Sequence, residues 1–268
     1  MSIIAPDQVP TPVETALAPE LVARRAGRGK ALLGYLYMPL FLAAVLVALW
    51  LYVSSRPLDS IEERRVNLEF IRQAAIQHLN LTVVSTIFVL LIAIPIGILL
   101  TRTFARRITP PAIAVFNIGQ AVPSIGVVAL LAVVWTIGFW PAVVALVAYS
   151  ALPVLRNTMV GLRQVDAAVI ESGRGMGMTM MSVLFRIEIP LAVPVILAGV
   201  RTALVINVGT ATLGTFINAG GFGDIIIAGL VQDRQLVTIV GSVLTAVLAL
   251  LVDYVAGIAE DVLRPKGL

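Results

Sequence analysis

The chain has no cysteine and a single histidine, His78, in 268 residues. That excludes a disulfide framework, a thiolate zinc site and a cysteine nucleophile, and it leaves histidine chemistry without a second ring. Charge is also scarce. Asp, Glu, Lys and Arg make up 13% of the sequence, against about 25% in ordinary soluble domains. Apolar residues fill the gap, at 59%, with a mean hydropathy of +0.99. A soluble protein of this length cannot hide so much apolar surface in one core. The net charge of +4 does not argue for nucleic acid, because membrane proteins gather surplus Lys and Arg in cytoplasmic loops. These shortages describe an all-α integral membrane protein that binds no nucleic acid.

Hydrocarbon about 30 Å thick needs about 20 apolar residues per helix. Ala31–Ser55 is uncharged and supplies span one. Span two starts near Leu79 and ends near Thr101. The stretch Ile108–Leu155 carries no charge, too long for one span, and Gly138-Phe139-Trp140-Pro141 divides it. Span three is then expected over Ala112–Ile137 and span four over Pro141–Val160. Span five runs over Pro190–Phe216 and span six over Leu236–Gly257, which makes six transmembrane helices. Thirteen of the nineteen basic residues fall on one side of this arrangement, so both termini of a multi-pass protein are expected in the cytoplasm. Four regions follow: a polar tail over 1–30, a first helix with an external amphipathic segment over 31–78, a core over 79–263, and a short tail over 264–268. The basic cluster Arg24–Lys30 follows residues 1–23, which is not the order of a signal peptide.

Within 31–78, the stretch Asp59–Gln77 interleaves Ile61, Val66, Leu68, Phe70 and Ile71 with charges. It reads as a helix lying on the external interface, or as a docking surface for an external partner. The longest cytoplasmic loop, Gly161–Ile189, has more to say. Asp166 can cap a short helix through Glu171, after which Gly173, Gly175 and Gly177 break it. Thr179 can cap a second helix that places Met181, Leu184 and Phe185 on one side, and Pro190 opens span five. The product is a helix–turn–helix elbow. It either docks a partner or packs under its own helices.

The residues of this loop carry a family resemblance. Glu171-Ser172-Gly173, then Gly177, then Ile187-Glu188-Ile189-Pro190 resembles the EAA loop of ABC-importer permeases, with Ser172 and Gly173 in place of its two alanines and Ile189 in place of its leucine. The runs Gln120-Ala-Val-Pro-Ser124, Arg174-Gly-Met-Gly-Met-Thr179, Pro190-Leu-Ala-Val-Pro194, Gly199-Val-Arg-Thr-Ala203, Gly209-Thr-Ala-Thr-Leu213 and Phe216-Ile-Asn-Ala-Gly-Gly-Phe-Gly-Asp224 resemble the permeases of osmoprotectant importers. Such importers take up glycine betaine, carnitine, choline or proline. The resemblance covers about Leu79 to Leu263. It implies a type I ABC-importer permease fold, with two permease chains, identical or paralogous, around one pathway. It also implies two cytosolic ABC ATPase subunits that hold ATP and magnesium, an external substrate-binding protein, and a place in the bacterial cytoplasmic membrane. No cofactor, metal or catalytic residue is implied on this chain. Asp166, Glu171, Gly173, Gly177, Met181, Phe185 and Pro190 would form the ATPase-coupling loop. Glu171 would meet a basic ATPase residue or fix the elbow, although it could instead pair with Arg163 or Arg174 inside the loop.

Polar and helix-breaking residues inside spans mark a bundle interior or a wet cavity. Gln120, Pro123 and Ser124 in span three are therefore pathway or gate candidates, as are Arg201, Asn207, Thr210, Thr212 and Phe216 in and after span five. Asn207 and Thr210 could equally be interhelical glue, and Arg201 could snorkel or hold a carbonyl. Gly209 and Gly214 would let helices approach. The glycine-broken segment Ala219–Gly229 reads as a re-entrant or interfacial helix, with Asp224 as its N-cap. A cage for a quaternary ammonium group would need clustered aromatics, but Phe116, Trp135, Tyr149 and Phe216 are scattered, so selectivity is expected in the binding protein.

Two lookalikes fail. Arg24-Arg-Ala-Gly-Arg-Gly-Lys30-Ala31 lacks the first glycine and the final Ser/Thr of a phosphate loop, and Gly221-Phe-Gly223 has no third glycine. An ion-coupled secondary transporter would want mid-span carboxylates, and only Asp253 comes near. A permease for methionine or another amino acid shares the EAA loop and is the nearer alternative.

Overall fold

A computed structural model describes residues 35–263. The tails expected over 1–30 and 264–268, and the first residues of span one, lie outside them. The chain divides at Val47 into two units. In the first unit the described residues belong to helix α1 (Tyr35–Ser54), where Tyr37 and Phe41 stack with centroids 6.5 Å apart. The second unit holds every other element. In chain order these are α2 (Ser60–Val66), α3 (Leu68–Leu100), a 3₁₀ turn, α4 (Thr109–Ala121), α5 (Ser124–Val134), α6 (Phe139–Arg163), α7 (Ala167–Gly175), α8 (Met180–Val183), α9 (Ile189–Ala211), a 3₁₀ segment (Thr212–Ile217), α10 (Gly223–Val231) and α11 (Gln235–Leu263). No strand occurs among the described residues.

Among the described residues, five helical stretches are long and apolar enough to cross a membrane. The span expected over Ala112–Ile137 is not one helix. It is the pair α4 and α5, bent by 94°. Pro123 explains the break: it lacks an N–H, and it forces Val122 before it to extended backbone, at φ −75° and ψ 133°. Counted as one span, the bent pair makes six.

The external segment differs from its expected form. Asn67 splits it into α2 and the first turns of α3, because its side chain does two jobs. Its Nδ2 donates to the Glu63 and Arg64 carbonyls, each at 3.0 Å, and its Oδ1 accepts from the Phe70 N–H at 2.8 Å. Residue 78 therefore lies inside one uninterrupted helix. Val66, Phe70 and Ile71 pack on Phe222, Ile225 and Val237 rather than lying along lipid headgroups. Asp59 completes a capping box with Glu62 at the start of α2.

The core of the second unit is built from small side chains. Val89, Ala93, Ala151, Val154, Leu155 and Ala203 belong to one buried cluster, and small residues let membrane helices close in on one another. A Cβ on Gly199 would lie 2.7 Å from Asn157 Cβ, so α9 touches α6 there. Gly209, expected to serve such a contact, has nothing within 4 Å of the same position. Most large apolar side chains on α3 and α5 that miss this core, such as Leu91, Ile92, Leu130 and Val133, are exposed. That is the pattern of helices solvated by lipid.

Candidate functional site

The connection between α6 and α9 is built from α7, α8 and a π-helical turn. Asp166 Oδ1 accepts the Ala168 N–H at 2.9 Å and starts α7. Gly173 does not break α7, contrary to expectation. It is buried inside the helix, where a Cβ would come 2.6 Å from Ile187 Cδ1, so it is the point at which α7 lies against the following helix. The break comes at Gly177, with φ +85°. Its N–H donates to the Arg174 carbonyl at 2.9 Å, and the Met178 N–H donates to the Gly173 carbonyl at 3.2 Å. This double bond set is the Schellman ending, whose left-handed residue favours glycine. Thr179 Oγ1 then caps α8 through the Ser182 N–H at 3.2 Å.

Pro190 stands in the first turn of α9, as expected, but the chain enters that helix without a break from α8. A π-helical turn, Leu184–Glu188, joins α8 to α9, and the Ile189 N–H reaches five residues back to the Leu184 carbonyl. The wide turn accommodates a proline that cannot donate to the residue four back. The same turn presents Glu188, which the sequence shows only as part of the Ile-Glu-Ile-Pro run. Arg102, just beyond α3, holds its carboxylate at two points, Nη2 to Oε2 at 2.6 Å and Nη1 to Oε1 at 3.2 Å. Thr101 Oγ1 accepts from Arg102 Nε at 3.1 Å and fixes the guanidinium. The Glu188 side chain is only 9% exposed.

Other loop residues face outward. Glu171 is exposed on α7 and makes no ion pair with Arg163 or Arg174. Met181 and Phe185 are exposed beside Met180. They line a groove of about 640 Å³ together with Leu99, Phe104, Ile170 and Arg174. The groove is mostly apolar, and Arg102 and Glu188 also line it.

The pathway candidates separate into two groups. Several are engaged inside the fold. Gln120 Nε2 donates to the Tyr149 carbonyl at 3.0 Å. Pro153, four residues on, has no N–H for that carbonyl, so Gln120 fills the gap. Asn207 is fully buried, its Nδ2 donating to Thr86 Oγ1 at 3.0 Å while its Oδ1 has no partner. Thr212 Oγ1 donates to the Gly209 carbonyl at 2.7 Å. Arg201 is held by carboxylates. It makes a two-point ion pair with Asp253 on α11, Nε to Oδ1 at 2.5 Å and Nη2 to Oδ2 at 2.6 Å, with Glu260 at 3.9 Å. The two residues are 52 positions apart, so no local pattern pairs them.

The second group stays available. Pro123 and Phe216 are exposed, and Ser124 and Thr210 are half-buried. Phe116, Trp135, Tyr149 and Phe216 make no ring contact with one another. Asp224 is in the first turn of α10 and does not cap it, since Phe222 holds that position. Across the molecule, Arg234 after α10 pairs with Asp59 at 2.8 Å. The backbone N–H groups of Glu62 and Ile61, followed by the charge of Arg234, hold the Asp59 carboxyl below its ordinary range. No group of three or more metal-ligating side chains occurs among the described residues.

Residues 93–265 match the family described as binding-protein-dependent transport system inner membrane component. The chain is 39% identical over 206 residues to the carnitine transport permease protein OpuCD of Listeria monocytogenes, covering 76% of this chain and 92% of the relative. It is 40% identical over 192 residues to the choline transport system permease protein OpuBB of Bacillus subtilis, covering 72% and 88%. It is 39% identical over 213 residues to the osmoprotectant import permease protein OsmY of Salmonella typhimurium, covering 80% and 89%. Among solved structures, an inward-facing form of the MetNI methionine ABC transporter superposes with a TM-score of 0.65 at 24% identity, covering 73% of this chain and 96% of that one.

Proposed function

Because the chain belongs to the family of binding-protein-dependent transport system inner membrane components, we propose that it is the membrane-spanning permease subunit of an ATP-driven importer for a compatible solute of the glycine betaine, carnitine, choline or proline type. Relatives named for carnitine, choline and osmoprotectant transport support the solute class. The methionine transporter is a likeness of fold alone at 24% identity, which sets the amino-acid reading second.

In this reading a second permease chain completes the pathway, and an external binding protein delivers the solute. ATP with magnesium is bound and hydrolysed in two cytosolic ATPase subunits, so this chain is not itself an enzyme. Both termini and the α6–α9 loop face the cytoplasm of a bacterial cell. Glu171, Met181 and Phe185 offer the ATPase one charged and two apolar contacts.

The observation that carries the reading is the ion pair between half-buried Arg102 and buried Glu188. A load taken up by α7 passes through Gly173 into the π turn, and through the ion pair into the end of α3. One push thereby reaches two spans, as rigid-body rocking between inward- and outward-facing states requires. Uptake by the reconstituted importer, screened with its binding protein against glycine betaine, carnitine, choline, proline and methionine, tests the solute class. Uptake of methionine alone would overturn it.

A further inference from the structure

His78 is completely buried, and nothing in the coupling loop uses it. It sits on α3 and bridges two separate pieces of backbone. Its Nδ1 accepts the Phe222 N–H at 3.2 Å, which places the ring proton on Nε2, and Nε2 donates to the Val208 carbonyl at 2.9 Å. Val208 is near the end of α9, where Thr212 turns its N–H to Thr210 instead. Its carbonyl would otherwise have no partner from that residue. Gln77 adds a third bond, its Oε1 accepting the Gly221 N–H at 3.1 Å.

The backbone is shaped around these side chains. Gly220 and Gly221 have φ +80° and +105°. A Cβ on Gly221 would lie 3.0 Å from His78 Nδ1, and one on Gly220 would collide with Gln77 Oε1. The His78 and Phe222 rings are 5.2 Å apart. One neutral imidazole therefore fixes both ends of the crossover from α9 to α10. An imidazolium has two donors and no acceptor, and would leave the Phe222 N–H without a partner.

We propose that Gln77 and His78 are positioning residues for transport, a clamp that makes α3 and the α9–α10 crossover move as one rigid piece. The clamp rests on the importer reading for its role in transport, and on these three hydrogen bonds for its geometry. Through α3 it joins the crossover to Arg102, the residue that receives the push of the coupling loop at the far end of the same helix. Without it the loop would still be driven by ATP, but the crossover would lag behind α3. Solute movement would then slip against hydrolysis.

The test is the number of ATP molecules hydrolysed per solute imported, measured in proteoliposomes with the ATPase and the binding protein. His78→Leu should raise this ratio about fivefold or more, with His78→Gln, which keeps a donor and an acceptor, between it and the unchanged chain. A merely structural histidine would lower the amount of assembled complex and leave the ratio unaltered, and that result would overturn the proposal. If His78→Leu does not assemble, Gln77→Ala and His78→Gln replace it, and an unchanged ratio in both overturns the proposal equally. Hydrogen exchange reads the geometry without transport: residues 218–224 should exchange faster in His78→Gln while α11 stays protected. Failure of the unchanged chain to show any ATP-dependent uptake would instead count against the importer reading.

Discussion

Arg102 and Glu188 are 86 positions apart in the chain, yet they form a two-point ion pair with its shorter contact at 2.6 Å. The pair ties the end of α3 to the π turn that leads into α9. Removing Arg102 strands the buried Glu188 carboxylate out of water, a cost on the order of 3 kcal/mol, whereas half-buried Arg102 loses less when Glu188 is removed. Arg102→Met and Glu188→Met should each lower the thermal stability of the purified protein and uncouple hydrolysis from uptake. The double variant should lose much less stability than the sum of the two, because neither charge is left alone. Strict additivity would show that the pair holds nothing.

Glu171 is exposed on α7 and pairs with neither Arg163 nor Arg174, so its charge is free for a partner. Glu171→Lys should lower ATPase stimulation and uptake at least about tenfold, the scale of a charge-assisted contact reversed in sign. Assembly of the permease chains themselves should persist. Unchanged transport would remove Glu171 from the coupling surface.

Gly177 has φ +85° at the end of α7, a region where a Cβ costs about 1–2 kcal/mol. Gly177→Ala should therefore loosen the elbow and reduce coupling, while Gly177→Asn, which tolerates this backbone better, should come closer to the unchanged chain. Measuring hydrolysis and uptake on both variants separates backbone strain from simple loss of glycine. Equal damage from both would contradict the strain argument.

Asp59 gives a pH prediction. Its carboxyl is held below the ordinary value of 3.8 by the Glu62 and Ile61 amides first and Arg234 after them. A depressed carboxylate stabilises the fold above its unfolded pKa, and this is lost as pH falls through the lower folded value. Asp59→Ala should speed hydrogen exchange at Ile61 and Glu62 equally at pH 7 and pH 5, and the difference from the unchanged chain should shrink only below 3.8. A difference that already fades between pH 7 and pH 5 would show that the carboxyl is not so held.

Much of this architecture can be read in the apolar runs. Their length against bilayer thickness gives the spans, and Gly138 before α6 marks a division that the structure keeps. Asp166 and Thr179 could be read as caps because capping is local. Other features depend on partners far away in the chain. Pro123 announces a break but not a bend of 94°, since the angle depends on what α4 and α5 pack against. Asn67 ends one helix and starts another with a single amide, which an amphipathic pattern conceals. Gln120 reads as a pathway candidate, but its bond to the Tyr149 carbonyl that Pro153 leaves open is not visible in the sequence. Arg201 and Asp253 each look costly inside a span, and only their meeting explains both. His78 gave the least sign of all, because its two partners are backbone atoms of α9 and of the turn before α10.

The central claim, that this chain moves solute only when a separate ATPase drives it, is tested most directly by uptake into proteoliposomes holding the permease with and without the ATPase subunits, in the presence of binding protein, solute and ATP. Uptake should require the ATPase and ATP together, and should fall to the level of empty liposomes when either is omitted. Uptake that continues without the ATPase, driven by an ion gradient, would contradict the account.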